Sequence, residues 1–462
     1  MVEGRTQTHH TVSELDEYID VRQFRPQPQI RVTAAVVRKP PPYWLGWPGT
    51  AYDVAGERVR YLRATAEATR SVGGLISEYQ EAIETSDAAN AFARSIQSDR
   101  PDAVVVVLQH LDVWPWLEAI ADTQIPTIVF APIGTAFTGH VVKFSRRPGV
   151  HVISSLDVGA ITQALRMIRA KRQFEMTRLL VVAGDERKEE VIPKLGVTVK
   201  RIPRASLHEL FEKMPENDET YEVARAMRRG ADRIVEPTRQ DTVNAARSFQ
   251  TAKRLLRNEE ANAITSDCLG MVTTHAVPTP PCMAASLFQD AGVTYGCEGD
   301  VHGATSLMLA SYLFDKPGFM NDPVPETVKN VLIAAHCTSG TRLKGFGEEP
   351  EPYTLRSHSE SNLGVAVQVP WKEGTQVTLA RFSSPEELIV DTGTVVANVQ
   401  TPPAGGCRTN FEIAMDNMED IRDVRGFHQV VFYGNHRRDL EAFCQMHGIK
   451  ATHSPEKAMP AV

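Results

Sequence analysis

The sequence predicts an α/β protein: two Rossmann-like α/β domains with parallel sheets, followed by a β-rich C-terminal domain. Three observations predict it. Continuous β-branched runs such as Ala103-Val104-Val105-Val106-Val107-Leu108 read as strands buried on both faces, as parallel strands do. These runs alternate with helical stretches from the first strand to about residue 325, the βαβ rhythm of a parallel sheet. Beyond that point short strands separated by turn formers suggest a sandwich or barrel layer. The expected parts are a flexible arm over 1–28, α/β domains over 29–150 and 151–325, and a β-rich domain with a terminal helix over 326–462.

Each element has its own signal. The arm is polar, with His9-His10 early and Pro26 and Pro28 at its end. Ile30 to Val37 is the first strand, and it runs into a proline-rich loop carrying Tyr43, Trp44 and Trp47. Arg58 to Thr69 is helical in pattern, and so is Ala88 to Gln97, with Ser86 or Asp87 as N-cap. Ala103 to Leu108 and Ile125 to Ala131 are strands. In the second unit the helices are Leu156 to Arg172, Ser206 to Met214, Thr220 to Arg229 and Gln240 to Asn258. Its strands are Arg178 to Gly184, Val197 to Ile202 and Ala263 to Cys268. The basic residues Arg247, Lys253, Arg254 and Arg257 read as a solvated face of the last helix. Pro278 to Pro281 breaks the chain before the helix Cys282 to Ala291. The later strands are Val331 to Cys337, Gly364 to Val369, Thr375 to Phe382, Glu387 to Thr392, Val395 to Gln400 and a run within Gly426 to Asn435, before a final helix over Arg438 to His447.

Composition narrows the functional class. With 50 Lys and Arg against 57 Asp and Glu, the formal charge of −7 argues against general nucleic-acid binding. No apolar run reaches membrane-spanning length, and Met1 to Asp20 lacks a signal-peptide core, so a soluble cytoplasmic protein is expected, without nucleic-acid or membrane partners. All six cysteines follow residue 267 in no CxxC pattern and read as buried thiols. No glycine fingerprint for a dinucleotide or a P-loop follows any strand, which weakens an NAD-linked reading.

The stretch around which the chain is organised is Cys297-Glu298-Gly299-Asp300-Val301-His302-Gly303, followed by a run to Phe314 that is apolar nearly all round. In an extended segment Glu298 and Asp300 would share a side, and two acids at the mouth of a buried helix are costly unless a cation meets them. That cation could be an arginine beside a helix cap, or a metal. His336 and His428 sit at the end or edge of apolar strands, where an unpaired imidazole is also costly. Together the four residues offer carboxylate and imidazole ligands, a set that suits Mn²⁺, Fe²⁺ or Zn²⁺.

These motifs resemble the L-fucose/L-arabinose isomerase superfamily. Cys297-Glu298-Gly299-Asp300 before an apolar helix is similar to the family's acid-pair segment. Ala335-His336-Cys337 and Gly426-Phe427-His428 resemble its strand-borne and C-terminal ligand histidines. The motif-level match covers about residues 225 to 450, and only the α/β pattern is shared before it. The resemblance implies a homo-oligomer, trimer or hexamer, that binds Mn²⁺, or another divalent ion such as Fe²⁺, Co²⁺ or Zn²⁺. It implies interconversion of an aldose and a ketose through an enediol. Asp300, His336 and His428 are then metal ligands, and Glu298 is a fourth ligand or the base. The family's further glutamate falls here in Leu269 to Cys282, near Met271, a stretch with no acid. Asp267 is the acid available to stand in as a catalytic residue. The gap also leaves open a different reaction, or a non-catalytic sugar-binding protein on the same scaffold.

Substrate contacts are expected from Arg342 and Lys344, in the polar loop after the His336 strand, which would suit an anionic sugar derivative. Cys282 and Trp47 are further candidates. The Trp44–Trp47 and Trp114–Trp116 segments are expected at a subunit boundary.

Overall fold

The computed structural model describes residues 14–41, 49, 51–274, 276–400 and 406–455. The first sheet contains β1 (Arg31–Val37), β2 (Leu75–Glu78), β3 (Ala103–Leu108), β4 (Thr127–Pro132) and β5 (Val150–Ser155), in the order β2-β1-β3-β4-β5 and parallel throughout. Helices α1 (Val54–Ser71), α2 (Ser86–Asp99), α3 (Leu117–Ala121) and α4 (Thr138–Ser145) connect its strands. Every residue of β3 is buried, as its β-branched run requires. Thr85, rather than Ser86 or Asp87, caps α2 by accepting from the Ala88 amide. β5 extends this sheet past residue 150, so the helix expected from Leu156 starts later, at α5 (Ala160–Met176). The Trp114 indole is buried beneath this sheet, donates to the Thr135 carbonyl at 2.7 Å and packs on Phe144, so it fills a core instead of a surface. Trp44 and Trp47 lie outside the described residues.

The second sheet contains β6 (Arg178–Val182), β7 (Lys188–Val191) and β8 (Thr198–Ile202). Helices α6 (Ala205–Lys213) and α7 (Asp218–Gly230), the short β9 (Arg233–Ile234) and α8 (Arg239–Asn258) follow. Then come β10 (Ala263–Ser266), α9 (Cys268–Thr273), α10 (Cys282–Asp290), β11 (Tyr295–Cys297) and α11 (Val301–Phe314). The order is β11-β10-β6-β8-β7, parallel except for the β7 edge.

Two expectations fail here for one reason. Lys253 and Arg254 of α8 are buried, not solvated, because the Glu17–Ile19 part of the supposed flexible arm lies across that face. Lys253 Nζ donates to the Ile19 carbonyl at 2.8 Å and Arg254 Nη2 to that of Glu17 at 3.0 Å, while Ile19 and Phe24 are buried. The basic side chains satisfy backbone carbonyls that would otherwise be stranded.

The β-rich part contains β12 (Phe319–Glu326), β13 (Val331–His336), β14 (Thr354–Arg356), β15 (Ala366–Gln368), β16 (Gln376–Ser384), β17 (Glu387–Asn398), β18 (Thr409–Met415) and β19 (Gln429–Tyr433). It ends with α12 (Arg437–His447) and β20 (Lys450–Thr452). Strands β16-β19-β12-β13-β18-β17 close into a barrel through the β16–β17 pair, and β20 adds to β17. The two strands expected over 387–400 are one, with a register shift between Val395 and Ala397. β14 pairs with both β15 and β9 in a small separate sheet.

Helix α11 joins the parallel sheet to the barrel. Every residue from Gly303 to Phe314 is buried, against α5 on one side and β16 and β19 on the other. An all-apolar helix has no face to give to water, so its place is set by being enclosed. Leu309→Ala should cost about 2–5 kcal/mol, because neither layer can collapse onto the vacated volume. A lowered midpoint in chemical denaturation checks this.

Candidate metal centre

The strand ends of the second sheet meet the barrel at one cluster of charge. Glu298 follows β11, Asp300 caps α11, Asp322 lies in β12, His336 ends β13 and His428 precedes β19. Four consecutive elements and one remote strand, β19, thus bring their polar residues to the C-terminal edge of a parallel sheet, where ligands collect. Glu298 and His428 have φ of +59° and +55°, left-handed values that L-residues seldom adopt. Such conformations cost of the order of 1–3 kcal/mol each and gather at ligand sites.

Glu298, His336 and His428 each offer a ligand atom within 4.8 Å of the other two. His336 Nε2 lies 3.9 Å from Glu298 Oε1, and His428 Nε2 lies 3.3 Å from Glu298 Oε2 and 3.2 Å from Asp322 Oδ1. The far nitrogen of each ring is held. His336 Nδ1 is 3.1 Å from Thr338 Oγ1, and His428 Nδ1 is 2.9 Å from Asp300 Oδ2. Both rings therefore turn Nε2 inward, the arrangement by which metal-ligating imidazoles are oriented.

Asp300 stands behind this group. Its Oδ1 accepts from the Gly303 amide at 2.9 Å, and its Oδ2 accepts from Arg381 Nη1 at 2.6 Å as well as facing His428. Burial opposes its charge, but His428 and Arg381 hold its carboxyl well below the usual range. A Cβ at Gly303 would come within 2.9 Å of Met320 Cε and 3.1 Å of Arg381 Nη1, so a larger residue would press on both side chains at the first turn of α11.

Three carboxylates surround one imidazole. Burial disfavours a charged ring at His428, yet Asp300, Asp322 and Glu298 push its pKa up to about 11. The cluster is short of positive charge. His428 Nε2 and Asp322 Oδ1 are also buried without a hydrogen-bond partner among the described residues, the distance between them notwithstanding. A divalent cation held by Glu298, Asp322, His336 and His428 would satisfy both atoms and supply the missing charge. Two carboxylates and two imidazoles are a donor set for Mn²⁺, Fe²⁺, Co²⁺ or Zn²⁺, so the residues fit the ion.

The other candidates read from the sequence lie elsewhere. Asp267 caps α9, accepting from the Gly270 amide at 3.0 Å, and its Oδ2 is 2.6 Å from Arg204 Nη2. Met271, near which the family's extra glutamate would fall, is fully buried. Arg342 donates to the Glu348 carbonyl, and Lys344 pairs with Glu351 at 3.0 Å. Their loop is pinned by Asp290, which accepts from the Thr341 and Arg342 amides at 2.7 and 2.9 Å. Among the described residues neither cation touches the Glu298–His336–His428 group. Cys282 is buried in an apolar cluster with Cys337 and Ala366, and burial pushes its thiol pKa up. Trp47 lies outside the described residues.

Asp322 was not anticipated; the arginine that meets the helix-capping acid is Arg381, and Thr338, first residue of the polar loop after the His336 strand, holds His336. The readable signal for Asp322 was the polar pair Asn321-Asp322 following the apolar Phe319-Met320.

No family model matches the chain. Over 306 residues it is 25% identical to the sulfoquinovose isomerase of Priestia aryabhattai, covering 62% of this chain and 66% of that protein. The sulfoquinovose isomerase of Priestia megaterium (strain ATCC 12872 / QMB1551) gives the same figures. That of Clostridium sp. (strain MSTE9) is 21% identical over 344 residues, covering 72% of this chain and 73% of that protein. The chain thus spans just under two thirds of the first two relatives. A solved ABC transporter solute binding protein from Agrobacterium vitis with bound allitol aligns over 55% of this chain and 82% of that one, at 16% identity and a TM-score of 0.18, which carries no argument.

Proposed function

We propose that this chain, which belongs to the L-fucose/L-arabinose isomerase-like superfamily, is a metal-dependent aldose–ketose isomerase acting on a sugar or an anionic sugar derivative. The observation that carries the reading is the convergence of Glu298, His336 and His428 within 4.8 Å, with both rings turned inward by Thr338 and Asp300. The relatives are sulfoquinovose isomerases, so a sulfonated hexose is the substrate to try first.

A divalent ion held by Glu298, Asp322, His336 and His428 would supply electrostatic stabilisation worth several kcal/mol to an enediolate-like transition state. The chain's own residues move the protons. Glu298 removes hydrogen from C2 and returns it to C1, while Asp322 relays the hydroxyl proton from O2 to O1. Both side chains are partly exposed, at 26% and 33%, and so are open to an incoming sugar, whereas His336 and His428 are buried and serve as fixed ligands. Asp267, engaged by Arg204, takes no part in the transfer.

Chelation should abolish turnover and Mn²⁺ should restore it. With the reloaded protein in D₂O, proton NMR should show deuterium entering C1 of the ketose formed from sulfoquinovose. Turnover that persists in metal-stripped protein, or product formed without solvent exchange or intramolecular C2-to-C1 hydrogen transfer, overturns the reading. A closed trimer or hexamer belongs to the same proposal, and light scattering at micromolar concentration reads it.

A further inference from the structure

The second sheet ends in one aligned row. Cys297, Ser266, Val182 and Ile202 are neighbours in register across β11, β10, β6 and β8. The residues that follow them are therefore Glu298, Asp267, Ala183 and Pro203-Arg204. Adjacent strands are about 4.8 Å apart, so Asp267 stands one strand spacing from Glu298. The row is tied by backbone bonds at each step: Gly299 N to Ser266 O at 3.1 Å, Asp267 N to Val182 O at 3.0 Å, and Arg204 N to Gly184 O at 2.8 Å.

Arg204 does not stay over its own strand. Its side chain crosses the end of β6 to meet Asp267 Oδ2 at 2.6 Å, which brings the guanidinium within one strand of the metal group. The space it occupies is reserved by a glycine. A Cβ at Gly270 would lie 2.7 Å from Arg204 Nη1 and 2.8 Å from its Cζ, so any other residue would displace the group. The contact with Asp267 uses one nitrogen, since Asp267 Oδ1 already accepts from the Gly270 amide. Among the described residues nothing else pairs with the fork: Nε is buried without a hydrogen-bond partner, and 34% of the side chain is exposed. Arg342 and Lys344 satisfy acceptors of their own loop instead.

Resting on the isomerase reading, we propose that Arg204, braced by Asp267 and seated on Gly270, receives the anionic group at the end of the sugar remote from its carbonyl. A sugar whose C1 and C2 oxygens face Glu298 and His428 extends along the sheet edge toward β10. A planar fork with donors to spare matches the oxygens of a sulfonate, phosphate or carboxylate. Asp267 fixes the fork and lowers its net charge, which favours a monoanionic sulfonate over a dianionic phosphate.

The test compares sulfoquinovose with 6-deoxyglucose, which differ only in the sulfonate, on Mn²⁺-loaded protein by calorimetry and by turnover. Arg204→Met should weaken sulfoquinovose binding by about 10–100-fold and leave 6-deoxyglucose within about threefold. Arg204→Lys should recover part of the loss. The pair Arg204→Met with Asp267→Asn strands no acid and should show the same selective loss, which separates a substrate role from a folding one. Equal losses for both sugars, no loss for either, or wild-type protein that does not prefer the sulfonated sugar overturn the assignment. Selective binding without turnover defeats the isomerase reading and leaves Arg204 in place. Equal turnover of both sugars defeats the Arg204 assignment and leaves the isomerase.

Discussion

Glu298→Gln should lower kcat by about 10²–10⁴-fold, the contribution of a positioned base, with little change in fold. The substitution keeps the shape and one metal-facing oxygen and removes the carboxylate that takes the C2 hydrogen. His428→Ala should act differently. That ring is buried at 3% exposure and fills the centre of the Asp300, Asp322 and Glu298 cluster, so its loss leaves three acids facing a hole. Bound metal should fall below stoichiometric levels, and activity should fall with it. Metal content by elemental analysis, read beside kcat, distinguishes the two. A Glu298→Gln enzyme that keeps wild-type kcat would remove Glu298 as the base. A His428→Ala protein that retains its metal would remove the ring as a ligand.

The sequence showed some of this plainly, and the reasons are local. Glu298 and Asp300 stand out because two acids before an all-apolar helix demand an explanation within a few residues. His336 and His428 stand out because each sits at the end or edge of an apolar strand. Roles within the cluster were harder to read. Glu298 and Asp300 are two apart, and an extended segment would place them side by side. The left-handed turn at Glu298 and Gly299 instead sends Glu298 toward the histidine Nε2 atoms and Asp300 behind the His428 ring. Backbone handedness at a non-glycine residue leaves no trace in hydrophobic periodicity.

Asp322 was hidden by its own strand. Pro323 and Pro325 speak against a strand, yet β12 accommodates them because β19 pairs only with Phe319 to Asn321. From Asp322 onward its ladder is to β13 alone, so the missing amides interrupt nothing on the other side. Arg381 was hidden by distance, since it sits in β16 between Ala380 and Phe382 and its partner Asp300 is 81 residues away. The same holds for Lys253 and Arg254: a basic helix face looks solvated until a segment more than 200 residues upstream is laid across it.

Asp300→Asn should weaken metal affinity by about 10–100-fold, the usual cost of disturbing the group behind a ligating histidine. Asparagine has the size of aspartate and still caps a helix, so the Gly303 amide keeps its acceptor. What changes is charge and donor direction. Arg381, 13% exposed, loses the anion at 2.6 Å, and the amide can present an N–H to His428 Nδ1, which would switch the ring's tautomer and put a proton on the metal-facing Nε2. The stranded guanidinium should also lower stability, by about 1–3 kcal/mol. The two losses can be separated. Adding Arg381→Met to Asp300→Asn removes the unpaired charge and should recover stability in denaturant titrations, while calorimetric Mn²⁺ affinity stays reduced because the His428 tautomer is still wrong. If affinity returns together with stability, Asp300 acts only through the Arg381 ion pair and does not orient the ring.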